Sequence, residues 1–464
     1  MKKILPLFFI TPIILLTACT GANVTATATV TAGATATQSA GKTPTIEPVV
    51  GTVSRLEVRE EALKGLEITV WTPWYGIESD LFNSFVKDFN EQNEWGIQVN
   101  LQNQVNFANL YESVTASLPT EAKPDLVIAL PEHAQGWYAD GAVTDLTDYI
   151  DDPKYGLDSG DIPSVFWNQD LAGEARVAIP AQRNAQFLLW NKTWAGKLGF
   201  ESAPDTAGVF REQACGAQKS MLSDEFAEND SLGGWLVNTE ATTAYAWLLA
   251  FGGGILEEGN YRFLAPKNIE SFKYLRELSE SGCAWQSASA DPITAFANRE
   301  ALFITANLHD LPFVARAFAG ANNTDTWQVI PFPGPAGTNG VLTVFGSSYV
   351  IFDSTEQEQL AAWLFVRWLL DNEQDARWVE TAHLFPLRTS TLDLLGDYEK
   401  THPQWAQAVD LLPEGMIQPQ LASWRTVKVM LGDGFTHMYR VNVSSGQVAA
   451  ILAQMESTAR DLSK

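Results

Sequence analysis

The chain has 464 residues, enough for two lobes that each bury a core. It carries 55 Asp and Glu against 30 Lys and Arg, a formal net charge of −25, and so acidic a surface repels phosphate backbones and argues against nucleic acid as a partner. Five His and three Cys are too few and too scattered for a zinc cluster, so neither a metal nor a cofactor is expected.

The N-terminus reads as an address. Lys2 and Lys3 precede an apolar run, Ile4 to Leu16, that is too short to cross about 30 Å of hydrocarbon as a helix. It ends in Leu16-Thr17-Ala18-Cys19, which resembles a bacterial lipobox, where the peptidase cuts before the Cys and the thiol carries a diacylglycerol. Residues 1–18 are therefore expected to be a signal peptide, and 19–55 a lipidated Cys19 with a Thr/Ala-rich linker that cannot bury a core. An anionic chain does not adhere to anionic lipid by charge, so the lipid is the expected hold on the bacterial membrane, with the folded part extracytoplasmic. In that compartment the remaining pair, Cys215 and Cys283, favours a disulfide over two separate buried thiols.

From Arg55 onward strands and helices alternate. LEITVWT is a strand, and IESDLFNSFVKDFNEQN a helix with Leu81, Phe82, Phe85, Val86 and Phe89 on one face. IQVNLQ, the helix FANLYESVTASL, the wholly apolar strand PDLVIAL and the helix EHAQGWYADG follow. This order predicts an α/β fold with open, mixed but mostly parallel sheets flanked by helices, whose ligands lie beyond the carboxyl ends of the strands. RVAIPAQRNAQFLLWNK reads as an extended crossing segment. Helical patterns dominate from about 205 to 300, including PITAFANREALFI. WQVIPFPGPAG and GVLTVFGSSYVIF are strands, LAAWLFVRWLLDNEQDARWVE is a single periodic helix, and further helices fill 404–464.

The order of these segments resembles the extracellular solute-binding proteins of bacterial ABC importers, in the sugar-binding family that includes maltose-binding protein. The landmarks are ITVWTPWYG, KPDLVIALPEHAQGWYADGAVTDLTDYI, IPAQRNAQFLLWNK, WLLAFGGGIL, AFANREALFITANLHDLPFV, FGSSYVIF and LFPLRTS. The resemblance implies a type II periplasmic-binding-protein fold with a multi-crossing hinge. Lobe one is expected at 56–180 and 330–388, lobe two at 183–328 and 389–464. It also implies a monomer that binds a carbohydrate in the inter-lobe cleft and delivers it to the transmembrane permease subunits of an ABC transporter.

A sugar offers hydroxyls to planar polar groups and C–H faces to flat rings. Trp74 and Tyr75 follow the first strand, and Trp74 is either a ligand platform or packing against the helix at 131–138. Glu132 and His133 open the helix after the third strand, where relatives place polar sugar contacts. Asn184 lies in the crossing strand at a position that faces the cleft in relatives, with Arg183 on the opposite face and Gln186 nearby. Thr242 precedes the AYAWLLAFGGG helix, where capping is the plainer role. Asn307 and His309 lie where relatives carry an aromatic and this chain has Leu308. Ser347, beside Gly346, offers a hydroxyl, and Trp424 matches a position where relatives place a stacking ring. Trp363, Trp368 and Trp378 read as core.

No catalytic residue is expected, since neither a GxSxG elbow nor an HExxH motif occurs. The competing readings are a carbohydrate-active enzyme, a stalked adhesin, or a binding protein for a polyol, a sugar phosphate or another small solute. Arg183 and Arg388 are the cations on which the phosphate reading rests.

Overall fold

The structure is a computed structural model that describes residues 53–464 except 121 and 288. The signal segment 1–18, Cys19 and nearly all of the linker lie outside the described residues. Among the described residues no helix is long and apolar enough to cross a membrane.

The first lobe starts with β1 (Glu67–Thr72), α1 (Gly76–Gln92), β2 (Gln98–Asn103), α2 (Phe107–Ser117), β3 (Leu126–Ala129) and α3 (Pro131–Ala139). Gly76, at φ 59°, lets the chain leaving β1 turn sharply into α1. On α1, Phe82, Phe85 and Phe89 fall three and four residues apart and are wholly buried, as the spacing predicts. The short β4 (Ile179–Pro180) then leads into β5 (Asn184–Asn191), whose eight residues are all buried.

The second lobe holds α4 (Ala207–Leu222), β6 (Gly233–Leu236), α5 (Ala241–Ala250), α6 (Pro266–Glu280), β7 (Ala284–Trp285), β8 (Ala301–Ala306), α7 (Leu311–Gly320), β9 (Trp327–Ile330) and β10 (Leu342–Phe345). Then come β11 (Ser348–Ile351), α8 (Glu356–Leu369), α9 (Asn372–Ala382), α10 (Pro403–Asp410), β12 (Gly415–Met416), α11 (Trp424–Met438) and α12 (Val448–Leu462).

Two mixed sheets organise the chain. The smaller runs β2-β1-β3-β11-β4, and the larger runs β7-β6-β8-β5-β10-β12, with β9 also paired to β5. In the larger sheet β5 is antiparallel to all three neighbours, β8, β9 and β10. The chain passes between sheets at β4 to β5, at β10 to β11, and again between α9, which packs on α1, and β12, which pairs with β10.

Three expectations need correction. The second crossing falls at Gly346 rather than near 330, because β9 and β10 both ladder onto β5 before the chain turns back. Ala301–Ala306, expected within a helix, is a strand buried on both faces, and Gly233–Leu236 is a further strand within the region where helical patterns were expected to dominate. The long periodic segment after 360 is two helices, broken at Leu370 and Asp371.

Each lobe has an aromatic core. Phe89 stands 4.8 Å from Phe365 and 5.6 Å from Trp368, while Phe210 stands 4.5 Å from Phe303 and 5.3 Å from Trp247. Trp363 and Trp378 are buried as expected, and Trp368 packs against the same cluster. Cys215 on α4 and Cys283 beside β7 are bonded through their sulfurs, with Cα atoms 4.4 Å apart.

Candidate functional site

Between the sheets lies a cleft of about 480 Å³, within the range usual for small-molecule sites. Both lobes line it. The first contributes Leu130, Pro131 and Glu132 from the carboxyl end of β3 and the start of α3, with Gln169. The second contributes residues 239–242 at the start of α5 and Lys428, Val429, Gly432, Asp433 and Thr436 from α11. Phe345 and Gly346 at one crossing and Gln418 and Pro419 at another form the floor. The starts of α3 and α5 thus both reach the cleft, where unpaired backbone N–H groups favour oxygen atoms.

The polar lining is held from behind. Gln186 on β5 donates from Nε2 to Glu240 Oε2 at 3.3 Å and to Thr243 Oγ1 at 3.2 Å, and it accepts from Thr242 Oγ1 at 3.3 Å. Trp424 Nε1 donates to Gln418 Oε1 at 2.8 Å. Lys428 Nζ donates to Glu132 Oε1 at 2.5 Å, an ion pair that joins α11 of one lobe to α3 of the other. Burial alone would push the Glu132 carboxyl up, but the Lys428 ammonium, through its charge and its hydrogen bond, holds it below its ordinary value. Nearby, the Arg425 guanidinium sits 4.4 Å from the Tyr111 ring centre, a second contact across the lobes.

Of the residues anticipated from the sequence, Glu132 and Thr242 line this cleft. Tyr75 and His309 line a separate cavity of about 570 Å³ between the start of α1, the start of α7 and the end of α9. The others are not exposed to either. Trp74 is 3% exposed, packed 5.0 Å from Phe82 and 4.9 Å from Trp378, with its indole N–H donated to Gln182. Trp424 is wholly buried beside Tyr245, so its anticipated stacking face is spent on the core of its own lobe. His133 points away from the cleft into Tyr111 and Trp137. Asn184 donates to Asn307 Oδ1 at 3.1 Å and accepts from Leu308 N, tying the crossing strand to the end of β8. Asn307 caps the turn that follows, and Ser347 is buried against Gln182.

Arg183 is wholly buried and paired with Asp170 at 2.6 Å, and Arg388 is paired with Asp161 at 2.8 Å. Neither lines the cleft, which removes the cations on which the sugar-phosphate reading rested. Lys428, Gly432, Asp433 and Thr436 were not anticipated. They recur at helical spacing in WRTVKVMLGDGFTHM, so one face of α11 was readable as polar, but which cleft it faces was not.

This architecture, two α/β lobes joined by three crossings around a lined cleft, is that of a type II solute-binding protein. Residues 84–413 match the family model described as bacterial extracellular solute-binding protein, and the chain belongs to that family. Among solved structures it is similar to the sugar-binding protein MalE from Xanthomonas citri, with a TM-score of 0.73 at 18% identity, covering 85% of this chain and 97% of that one. It is also similar to the cyclic α-maltosyl-1,6-maltose binding protein from Arthrobacter globiformis (TM-score 0.71, 18% identity, 85% and 99% covered). A third is UgpB from Mycobacterium tuberculosis, solved with glycerophosphocholine (TM-score 0.69, 16% identity, 85% and 98% covered). At these identities the likeness establishes the fold. A search of curated proteins returns no match.

Proposed function

We propose that this chain binds a carbohydrate in the cleft between its lobes and presents it, without chemical change, to the permease of an ABC importer. The protein acts outside the cytoplasm as a monomer, tethered through a lipid on Cys19. One lobe comprises 56–180 with the segment from 347 to 388, and the other 183–345 with 389–464. The observation that carries this reading is the make-up of the cleft. Hydroxyls of Thr242 and Thr436, amides of Gln169 and Gln418, the Glu132 carboxylate and one ring, Phe345, come from both lobes and converge on one space. A solute that touches both lobes at once favours the form in which they approach, which is how binding becomes a signal to a transporter. Recognition rests on hydroxyl and amide partners rather than on the tryptophan stacking anticipated from the sequence. A polyol fits the same partners.

The test is a melting series of the secreted domain against neutral mono- and oligosaccharides, polyols and sugar phosphates, with tryptophan fluorescence read in parallel. A ligand at a hundred times its Kd adds about 2.7 kcal/mol of apparent stability. A panel in which no carbohydrate or polyol shifts the melt, or in which only sugar phosphates do, removes the reading.

A further inference from the structure

The charges around the cleft do not balance. Four ionisable side chains line it: Glu132, Glu240, Asp433 and Lys428. The only cation among them is already committed, since Lys428 Nζ is 2.5 Å from Glu132 Oε1. Glu240 and Asp433 have no ion-pair partner within 4.0 Å among the described residues, which leaves two uncompensated carboxylates in one small space. Glu240 precedes the first turn of α5, where the helix dipole favours a carboxylate, and Gln186 grips it from the buried strand β5. Asp433 follows Gly432, and a Cβ added to Gly432 would lie 3.6 Å from Ala241 N and 3.9 Å from Thr239 O. The α11 helix therefore runs close beside the first turn of α5 at Gly432, and Asp433, the next residue, lines the same cleft as Glu240.

Resting on the carbohydrate reading, we infer that the solute carries a positive charge: an amino sugar or short amino-oligosaccharide whose ammonium is taken up by Glu240 and Asp433. Its hydroxyls meet Thr242, Gln418 and Thr436. A neutral sugar offers neither carboxylate a counter-charge, and an anionic sugar meets no free cation among the cleft-lining residues. An ammonium satisfies both and donates three hydrogen bonds.

The experiment is calorimetry on matched series: glucosamine and its β-1,4 oligomers, the N-acetylated counterparts, and glucose oligomers of equal length. Glu240 and Asp433 are both solvent-facing, so the pairing is screened, and a preference of about tenfold for the amino series is expected, shrinking as salt is raised. In the E240Q/D433N double variant the amino and neutral series should come to within about twofold of each other. Neutral sugars that bind as tightly as amino sugars in the wild type overturn this inference alone. So does a preference that survives in the double variant. A panel in which neither series binds overturns the carbohydrate reading together with it.

Discussion

Lys428 and Glu132 meet across the cleft at 2.5 Å, and they belong to different lobes. Glu132 is 6% exposed, whereas the lysine side chain keeps 27% of its surface in solvent. The pair therefore acts as an inter-lobe tie whose acidic half cannot be rehydrated in place. Lys428→Met strands that carboxylate, and removing one partner of a buried pair costs about 3 kcal/mol or more when both are buried. The partly exposed lysine puts the expected loss at or below that figure. The Glu132 carboxyl is held below its ordinary value, so the stability it contributes is present above the unfolded-state pKa and fades as pH falls through the folded one. Denaturant melts near pH 7 and near pH 3 should show the Lys428→Met penalty shrinking in acid. A penalty that is constant or grows in acid would contradict the tie.

His133, one residue on, titrates in the same direction for a different reason. Burial pushes its imidazole down to about 4, with the nearby Lys428 and Arg425 charges adding to the effect and Glu132 opposing it. The unfolded chain takes up this proton at its ordinary value while the folded chain stays neutral. Stability is thus lost as pH falls from about 6.5 towards 4, by roughly 3 kcal/mol in all. A neutral replacement, His133→Gln, should flatten that limb of the stability curve even if it lowers the plateau. An unchanged slope between those pH values would show that the ring is solvated.

The tryptophans separate what could be read from the sequence from what could not. The alternation from Glu67 to Ala139 was legible because each apolar face repeats locally, at two residues in β1 and three to four in α1. The choice between platform and packing for Trp74 stayed open, because besides the nearby Phe82 its ring packs on Trp378, some 300 residues later and 4.9 Å away, and not on the helix at 131–138. Likewise Trp424 starts a helix that offers both a cleft face and a core face, and only the contact with Tyr245 assigns the ring to the core. Lys428 and Asp433, on the other face of that helix, carried a readable period but no hint of their partner. Trp424→Ala should therefore behave as a core truncation. The expected cost is about 3–5 kcal/mol of stability, with a loss of binding that follows from the released Gln418. A variant that melts like the wild type yet fails to bind would return Trp424 to the role of a ligand platform.

The disulfide closes a loop of 68 residues that contains β6, α5 and α6. Loop entropy alone assigns it roughly 4 kcal/mol. Cys215→Ser with Cys283→Ser, or melting under a thiol reductant, should lower stability by about that amount. Residues 239–242 of the cleft lining lie inside this loop, but Gln186 on β5 and the packed helix α11 hold them from outside it, so solute affinity at low temperature should change little. Equal melting with and without reductant would mean that the sulfurs are not joined in solution.

The strongest mechanical constraint is where two crossings touch. Arg183, wholly buried, donates to Ser347 O at 2.6 Å, to Asp170 at 2.6 Å and to Ser348 Oγ at 3.2 Å, while Ser348 Oγ donates to Asp170 Oδ1 at 2.6 Å. One guanidinium thus pins the β4–β5 crossing to the β10–β11 crossing. The backbones come so close that a Cβ added to Gly346 would stand 1.9 Å from Gln182 O, a contact that only displacement of one strand can relieve. Gly346→Ala should separate the crossings, cost more than the 1–3 kcal/mol typical of overpacking, and weaken solute binding, because Gly346 also floors the cleft. Arg183→Met separates the two effects. It leaves the backbone approach intact but strands Asp170, so it should destabilise by about 3–5 kcal/mol. If the pin sets the path of lobe movement, the fluorescence change on solute addition should also lose amplitude in the Arg183→Met protein that remains folded. A full-amplitude response in that variant would show that the buried pair serves stability alone and that the close backbone contact at Gly346 is sufficient to guide the lobes.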